Sequence, residues 1–280
     1  MDIKIAVAYH KESFVLHHKY FIPVHAGKAV SNLDLHMQGD DEGDNISYKN
    51  PWYCELTALY WLWKNTKADY KGLMHYRRAF VIKKDFDIFR FLLRLKFITR
   101  RLSSLWSPYS SVGVKKQYEC KSSDVFNTGA IDFANKLEGV LAGGVNIIAP
   151  HPGRFYMSLR RTLSYEVGGQ NLELMDEIVK RDFPDFFPHY DKAMDGQWLY
   201  NCNMSVMDND TFEEYCNILF SVLESHEKES MSRGYLIDVS KEKAYARVSG
   251  YLAEMLTNAF IRYSAAKGKK VKVLPVVYLK

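Results

Sequence analysis

One succession constrains this chain more than any other feature: an apolar strand, a capped helix and a second apolar strand, in that order, within the first 78 residues. Ile3–Ala8 alternates and stops at Tyr9-His10-Lys11, a strand with polar residues at its carboxyl end. Residues 22–30 read as a second short strand and turn, and 36–50 as a polar loop. Asn50-Pro51 then opens a helix, a cap residue followed by proline at the first helical position. The stretch 51–64 carries Leu56, Leu59, Tyr60 and Trp63 at helical spacing before the turn at 67–70 and the strand Gly72–His75. Strand, helix and strand predict a mostly parallel α/β sheet flanked by helices. Further along, helices are expected at 130–142, 171–182, 211–228 and 241–263. Strands are expected at 145–149, 203–207 and 271–278. The length of 280 residues suits a single domain spanning 1–280.

In open α/β sheets ligands gather at the carboxyl ends of the strands, so polar residues there are the first candidates. Two groups qualify: Tyr9-His10-Lys11 and His75-Tyr76-Arg77-Arg78. The second sets two permanent cations beside a histidine and a tyrosine, and the planar fork of arginine donors matches phosphate oxygens. A solvated basic turn is the competing explanation for Arg-Arg. The apolar strand running straight into it favours an anion site.

Composition narrows the classes. Hydrophobic residues at 47% and charged residues at 25% describe a globular chain. Aromatics at 14%, including 19 Tyr, suit stacking on sugars and uracil, and equally a tyrosine-rich core. The formal charge of +5 fits phosphate-bearing ligands or an anionic membrane surface. It fits nucleic acid less well, because the basic residues interleave with large aliphatics. Cys54, Cys120, Cys202 and Cys216 lie far apart without a C-x-x-C pair, which argues against a zinc site or disulfide framework and for a reducing, cytoplasmic setting. No signal peptide pattern opens the chain and no run reaches about 18 apolar residues. A serine or cysteine hydrolase is disfavoured by the lack of G-x-S-x-G and of a cysteine with an evident histidine partner.

The stretch 85–124 reads as an insertion. Its first part, 86–105, interleaves Phe, Leu and Trp with Arg90, Arg94, Lys96, Arg100 and Arg101, and no acid follows Asp87. Such a helix suits the anionic inner face of a membrane, lying in the interface. A buried helix pair with snorkelling arginines, or a homo-oligomer contact, are the alternatives. Two Asp-x-Asp triplets, Asp85-Phe86-Asp87 and Asp208-Asn209-Asp210, have the form of metal ligands; the second also reads as a helix start.

The stretches Ile22-Pro-Val-His-Ala-Gly-Lys28, Gly43-Asp-Asn-Ile-Ser47, Asn50, Tyr53-Cys-Glu-Leu-Thr-Ala-Leu-Tyr-Trp61, Trp63-Lys-Asn65 and Gly72–Arg78 resemble one family. So do Asn203-Met204, Phe212-Glu-Glu-Tyr-Cys216, Leu219-Phe220, Arg247-Val-Ser-Gly-Tyr-Leu-Ala-Glu254 and Leu274-Pro-Val-Val277. The family is a bacterial capsule and O-antigen domain, long labelled as of unknown function and later linked to galactofuranosyl transfer. The resemblance covers essentially the whole chain. It departs at Ser205 and around 151–170, the acceptor half.

That resemblance implies a GT-A-like, Rossmann-like fold and inverting transfer of galactofuranose from its UDP donor to a growing polysaccharide. In such a fold the strand ending in His75-Tyr76-Arg77 stands where metal-dependent enzymes carry Asp-x-Asp. Here it offers cations, so Arg77, with Arg78 or His75, is expected to stabilise departing UDP without a metal cofactor. Tyr9, His10, Lys11, His25, Gly27, Asn50, Tyr76 and Arg247 join the implied donor set. Glu55 belongs there too unless it is an exposed helical residue, and Asp44 and Asn45 contact the nucleoside unless they only shape a turn. An inverting transfer needs a base for the acceptor hydroxyl. Glu254 is the candidate, seven residues and so about two helical turns from Arg247, with which a structural ion pair is the alternative. Asp195 is the alternate base. Trp198 and Asn203 fall on the acceptor side, and the acceptor is expected to be lipid-linked or an oligosaccharide. The alternatives are a UDP-hexopyranose (galactose or glucose) transferase of the same fold and a non-catalytic sugar-nucleotide-binding module, which would keep the donor residues and lack a usable base.

Overall fold

A computed structural model of the chain describes residues 1–82, 117–235 and 247–280. The triplet Asp85-Phe86-Asp87, the basic segment 86–105 and the expected helical residues 241–246 lie outside these. Strands β1 (Ile3–Tyr9), β2 (Phe21–His25) and β3 (Gln38–Gly39) come first. Helices α1 (Asn50–Tyr53) and α2 (Leu56–Asn65) lead into β4 (Tyr70–His75) and β5 (Arg78–Phe80). Then follow β6 (Gln117–Cys120), α3 (Ser123–Leu141), β7 (Ile147–Pro150) and β8 (Gly153–Arg154). Three helices, α4 (Leu159–Val167), α5 (Gly169–Asp182) and α6 (Phe187–Asp195), precede β9 (Trp198–Leu199) and β10 (Ser205–Asp208). The chain closes with α7 (Asn209–Ser232), α8 (Val248–Ala266), β11 (Val271–Leu274) and β12 (Val276–Leu279).

The main sheet runs β11-β7-β10-β4-β1-β2-β3, with β12 joined to β5 and β6 beside it. Along that path only β10 is antiparallel, to β4 and to β7. This is the mostly parallel, helix-flanked α/β sheet that the sequence pattern predicts. Period-2 alternation divides β1 between two cores: Ile3, Ile5, Val7 and Tyr9 face α3, whereas Ala6 and Ala8 face the larger helical layer containing α2 and α8. A sheet covered on both faces needs apolar side chains on both, which is why β1 is almost continuously buried. Gly72 lets the antiparallel strand approach: a Cβ there would lie 2.4 Å from the Ser205 carbonyl oxygen.

Several local expectations change. The helix expected at 51–64 is two helices, broken at Cys54, whose φ is +52°. The break is held from the side: Asn50 Nδ2 and Thr57 Oγ1 both donate to the Cys54 carbonyl, at 2.7 and 3.1 Å. The end of the expected insertion, 117–124, instead forms β6, parallel to β12, and the first turn of α3, capped by Ser122. Its polar residues concealed a short strand. Helices α4 and α6, short and polar on one face, carry no expectation from sequence. The closing strand is two strands, because Pro275 interrupts the ladder; its carbonyl accepts from Val81 N–H at 3.0 Å.

Candidate active site

The register sets carboxyl ends side by side: Ala8 pairs with His75, and Tyr9 with His25. Onto this edge come four further pieces. They are the β4–β5 hairpin, which turns through Tyr76 and Arg77, the first turn of α2 at Glu55, the turn at Cys202–Asn203 before β10, and the first turns of α8 from Arg247 to Glu254.

At the centre stand two carboxyl groups. Glu55 Oε1 accepts from Asn203 Nδ2 at 2.9 Å and lies 3.9 Å from His75 Nε2. Glu254 accepts from the backbone N–H of Cys202. Desolvation, then repulsion from Glu55, push the Glu254 carboxyl up to about 7, against the pull of Arg78 and Arg247. The Cys202 carbonyl accepts from His75 Nε2 at 2.7 Å, which assigns the imidazole proton to that nitrogen. Burial lowers the His75 pKa, with Arg78 adding to it against Glu55, so the ring is neutral near pH 7. Cys54, Cys202 and Asn203 all have positive φ, at 52°, 75° and 51°. Left-handed conformations of non-glycine residues are costly and gather where surrounding contacts hold them.

Around the carboxyl pair lies a basic rim. Arg77 sits 5.1 Å from the Tyr76 ring centre and 5.6 Å from that of Tyr278, and Arg78 sits 5.3 Å from Tyr278. The Nε atoms of both arginines are buried with no hydrogen-bond partner among the described residues. Lys11 Nζ is 6.0 Å from the Tyr76 ring centre and His10 meets that ring edge-on at 5.1 Å. Partial burial lowers the His10 pKa, and Lys11, Arg77, His75 and Arg247 push in the same direction. Arg247 Nε donates to Cys54 Sγ at 3.4 Å. Rings stiffen these guanidinium groups without neutralising them, and no carboxylate pairs with Arg77, Arg78 or Lys11 among the described residues.

Most of the other expected site residues have structural partners. Tyr9 is fully buried, accepts from Leu16 N–H at 2.9 Å, and its hydroxyl pKa is pushed up to about 12 by burial. Gly27 adopts φ +74° and donates its N–H to buried Asp40 at 2.8 Å; Asn50 packs against it. His25 is 1% exposed with neither ring nitrogen partnered. Asp44 and Asn45 are turn residues: Asp44 exchanges hydrogen bonds with Asn65, and Asn45 closes on Asp41, Gly43 and Ser47. Asn65 ends the ten-residue α2, about 15 Å from Glu55 at its start, so this turn belongs to the opposite edge of the sheet. Asp195 stands apart as well, 68% exposed and 3.2 Å from Arg160, which also binds Asp176 and Asp191. Trp198 is 43% exposed with Arg154 5.9 Å from its ring centre, and Asn203 is buried against Glu55 rather than facing solvent. Asp208 caps α7, accepting from Thr211 N–H at 2.8 Å. No group of three or more His, Cys, Asp or Glu suited to a metal occurs among the described residues.

The family model described as "Domain of unknown function (DUF4422)" matches residues 4–265. The protein belongs to this family. Among curated proteins no relative matches the chain. Of solved structures, the DUF4422 chain is similar to the apo structure of the bifunctional glycosyltransferase WbbM, at 26% identity with a TM-score of 0.80. That alignment covers 100% of this chain and 46% of the other, so the chain spans about half the length of the protein it matches. The fold is thus a glycosyltransferase fold.

Three contributors to the DUF4422 site carry no mark in the sequence. Cys202 acts through its backbone, Thr257 holds Asn203 Oδ1 at 3.2 Å, and Tyr278 braces both arginines from the last strand. Only the apolar pattern around Tyr278, which predicts a strand there, hinted at its place.

Proposed function

We propose that the protein is an inverting glycosyltransferase that moves galactofuranose from UDP-galactofuranose to a growing capsular, O-antigen or exopolysaccharide acceptor. The observation carrying this reading is the meeting of Glu254, whose carboxyl is pushed up to about 7, with Arg77, Arg78 and Lys11, cations that pair with no carboxylate among the described residues, at the strand ends of a glycosyltransferase fold. A nucleotide-sugar transfer needs both: positive charge where the diphosphate departs, and a base for the acceptor hydroxyl. In this reading Arg77 and Arg78 bind the diphosphate, Arg247 and Lys11 flank it, and His75 donates no charge but fixes the Cys202 turn. Glu254, ionised, takes the acceptor proton as the hydroxyl attacks the anomeric carbon. Trp198 offers an indole face to the acceptor.

Glycosyltransferases of GT-A form often hold a divalent ion at the diphosphate. The residues at the equivalent place here do not suit one: guanidinium groups cannot ligate a cation, and no group of three or more His, Cys, Asp or Glu suited to a metal occurs among the described residues. The proposal therefore routes diphosphate charge to arginine. A membrane-bound, lipid-linked acceptor is part of the same reading, supported by the basic apolar segment 86–105.

Incubating the protein with a panel of UDP-sugars and a synthetic or lipid-linked acceptor, with products read by mass and NMR, tests the reading. Acceptor-dependent product from UDP-galactofuranose, undiminished by EDTA, is the expected result. Product from a UDP-hexopyranose alone would overturn the donor assignment. Abolition by EDTA with rescue by manganese would overturn the arginine mechanism.

A further inference from the structure

The turn at Cys202–Asn203 joins every piece of the carboxyl pair, although it precedes a strand that contributes nothing else to the site. Asn203 is 1% exposed. Its Nδ2 donates to Glu55 Oε1 at 2.9 Å and to the Gly250 carbonyl at 3.4 Å, and its Oδ1 accepts from Thr257 Oγ1 at 3.2 Å. Gly250 lies four residues before Glu254 and Thr257 three after, so all three share one face of α8. Asn203 thus spans the helix on both sides of Glu254, while the neighbouring Cys202 N–H reaches the Glu254 carboxyl itself. Thr257 is fixed in turn: its single hydroxyl proton is shared between Asn203 Oδ1 and the Ala253 carbonyl, the latter at 2.7 Å, and its oxygen accepts from Tyr215 OH at 2.8 Å.

We propose that Asn203 is a positioning residue, whose amide clamps the Glu55 carboxylate beside Glu254 and so sets the geometry and proton affinity of the base. This rests on the reading of Glu254 as that base. The chemistry needs an amide. An aspartate would lose the donor that holds Glu55 and add a third negative charge; an aliphatic residue would leave Glu55 unpartnered and strain at φ +51°. The groups facing Glu254 are Glu55 and Cys54 from the α1–α2 junction, Arg78 from β5, and Arg247 and Tyr251 from α8. Asn203 touches only the first of these, so its replacement acts on Glu254 through Glu55.

The test is the pH dependence of kcat, with donor KM, for Asn203→Asp, Asn203→Gly and Glu254→Gln, each first shown to be folded by circular dichroism. N203D keeps the shape and adds charge. Its acidic limb is expected to move up by about one unit, lowering kcat near neutrality about tenfold with donor KM nearly unchanged. N203G accepts the left-handed backbone and removes the amide. It is expected to lose kcat about tenfold and to alter the limb; a wild-type profile in N203G would overturn the proposal, since backbone conformation alone would then suffice. Should either Asn203 variant fail to fold, Thr257→Val, which removes the hydroxyl on Asn203 Oδ1 at nearly constant volume, replaces it. A shifted limb supports the clamp and an unshifted one overturns it. If E254Q keeps its turnover, the base assignment fails whatever Asn203 does. If E254Q is inactive while N203G behaves as wild type, the Asn203 inference alone fails.

Discussion

Asn50 fills the space that a side chain at Gly27 would need: a Cβ at Gly27 would lie 2.4 Å from Asn50 Cγ. Asn50 in turn holds the Cys54 carbonyl at 2.7 Å, and the break at Cys54 aims Glu55 into the site. A glycine on one loop therefore governs the entry angle of the helix that follows Glu55. Gly27→Ala meets both the positive φ of 74° and that contact. A loss of about 2–4 kcal/mol in unfolding free energy is expected, measured by urea titration. Turnover should fall beyond what the unfolded fraction explains, because the displaced Asn50 releases Cys54.

Glu254 makes a prediction in pH. Its pKa is raised from 4.5 to about 7 in the folded protein, so the folded state holds a proton that the unfolded chain has released. The stability this proton contributes is full below about pH 4.5 and is lost as pH rises through about 7, by roughly 3 kcal/mol at most. Glu254→Gln carries no such ionisation. It should match wild type at pH 4.5, be more stable above pH 7 in denaturant titrations at each pH, and be inactive throughout. Wild-type turnover should rise with pH through about 7 as the base ionises.

Arg77 separates binding of the leaving group from folding. It is half-buried between two tyrosine rings and makes no ion pair among the described residues. Arg77→Ala is expected to cost about 100-fold in turnover, the loss typical of removing one electrostatic stabiliser of the transition state. Its stability should change by about 1 kcal/mol or less. Arg77→Lys should restore part of the rate, since charge returns without the bidentate fork. UDP affinity by calorimetry, weaker in both variants and falling with salt, checks the assignment.

How far this site could be read from sequence depends on what each residue uses to act. The strand end at Arg77 and Arg78 is legible because an apolar strand of period 2 runs straight into it, whereas Glu254 stands out only through the family resemblance. Residues whose role lies in backbone geometry are not legible. Nothing in the letters marks Cys54 or Cys202 as positive in φ, and the helix across Cys54 reads as continuous because its apolar spacing survives the break. Asp44 shows the converse: its backbone shapes a turn through Asn65 while its carboxylate accepts from Tyr60 OH at 3.2 Å, and turn chemistry and ligand chemistry look alike in the letters. The strand β6 is polar and four residues long, too short for a period to register.

Asp195 and Arg160 supply the remaining discrimination. Asp195 is 68% exposed and shares Arg160 with Asp176 and Asp191, so it gains little from any one contact. Asp195→Asn should keep turnover within about twofold of wild type and change stability by about 0.5 kcal/mol or less. Loss of activity comparable to that of E254Q would make Asp195 the base instead. Arg160 is different, because three carboxylates converge on it and Asp176 also accepts from Tyr190 OH at 2.5 Å. Burial already raises the Asp176 pKa against the pull of Tyr190 and Arg160. Without the guanidinium that carboxyl should rise further, so Arg160→Met is expected to unfold more readily as pH rises above the ordinary aspartate range. Thermal melts of R160M and D195N over that rise in pH, with the transfer rate of each at its folded plateau, separate a helix-packing network from a catalytic one.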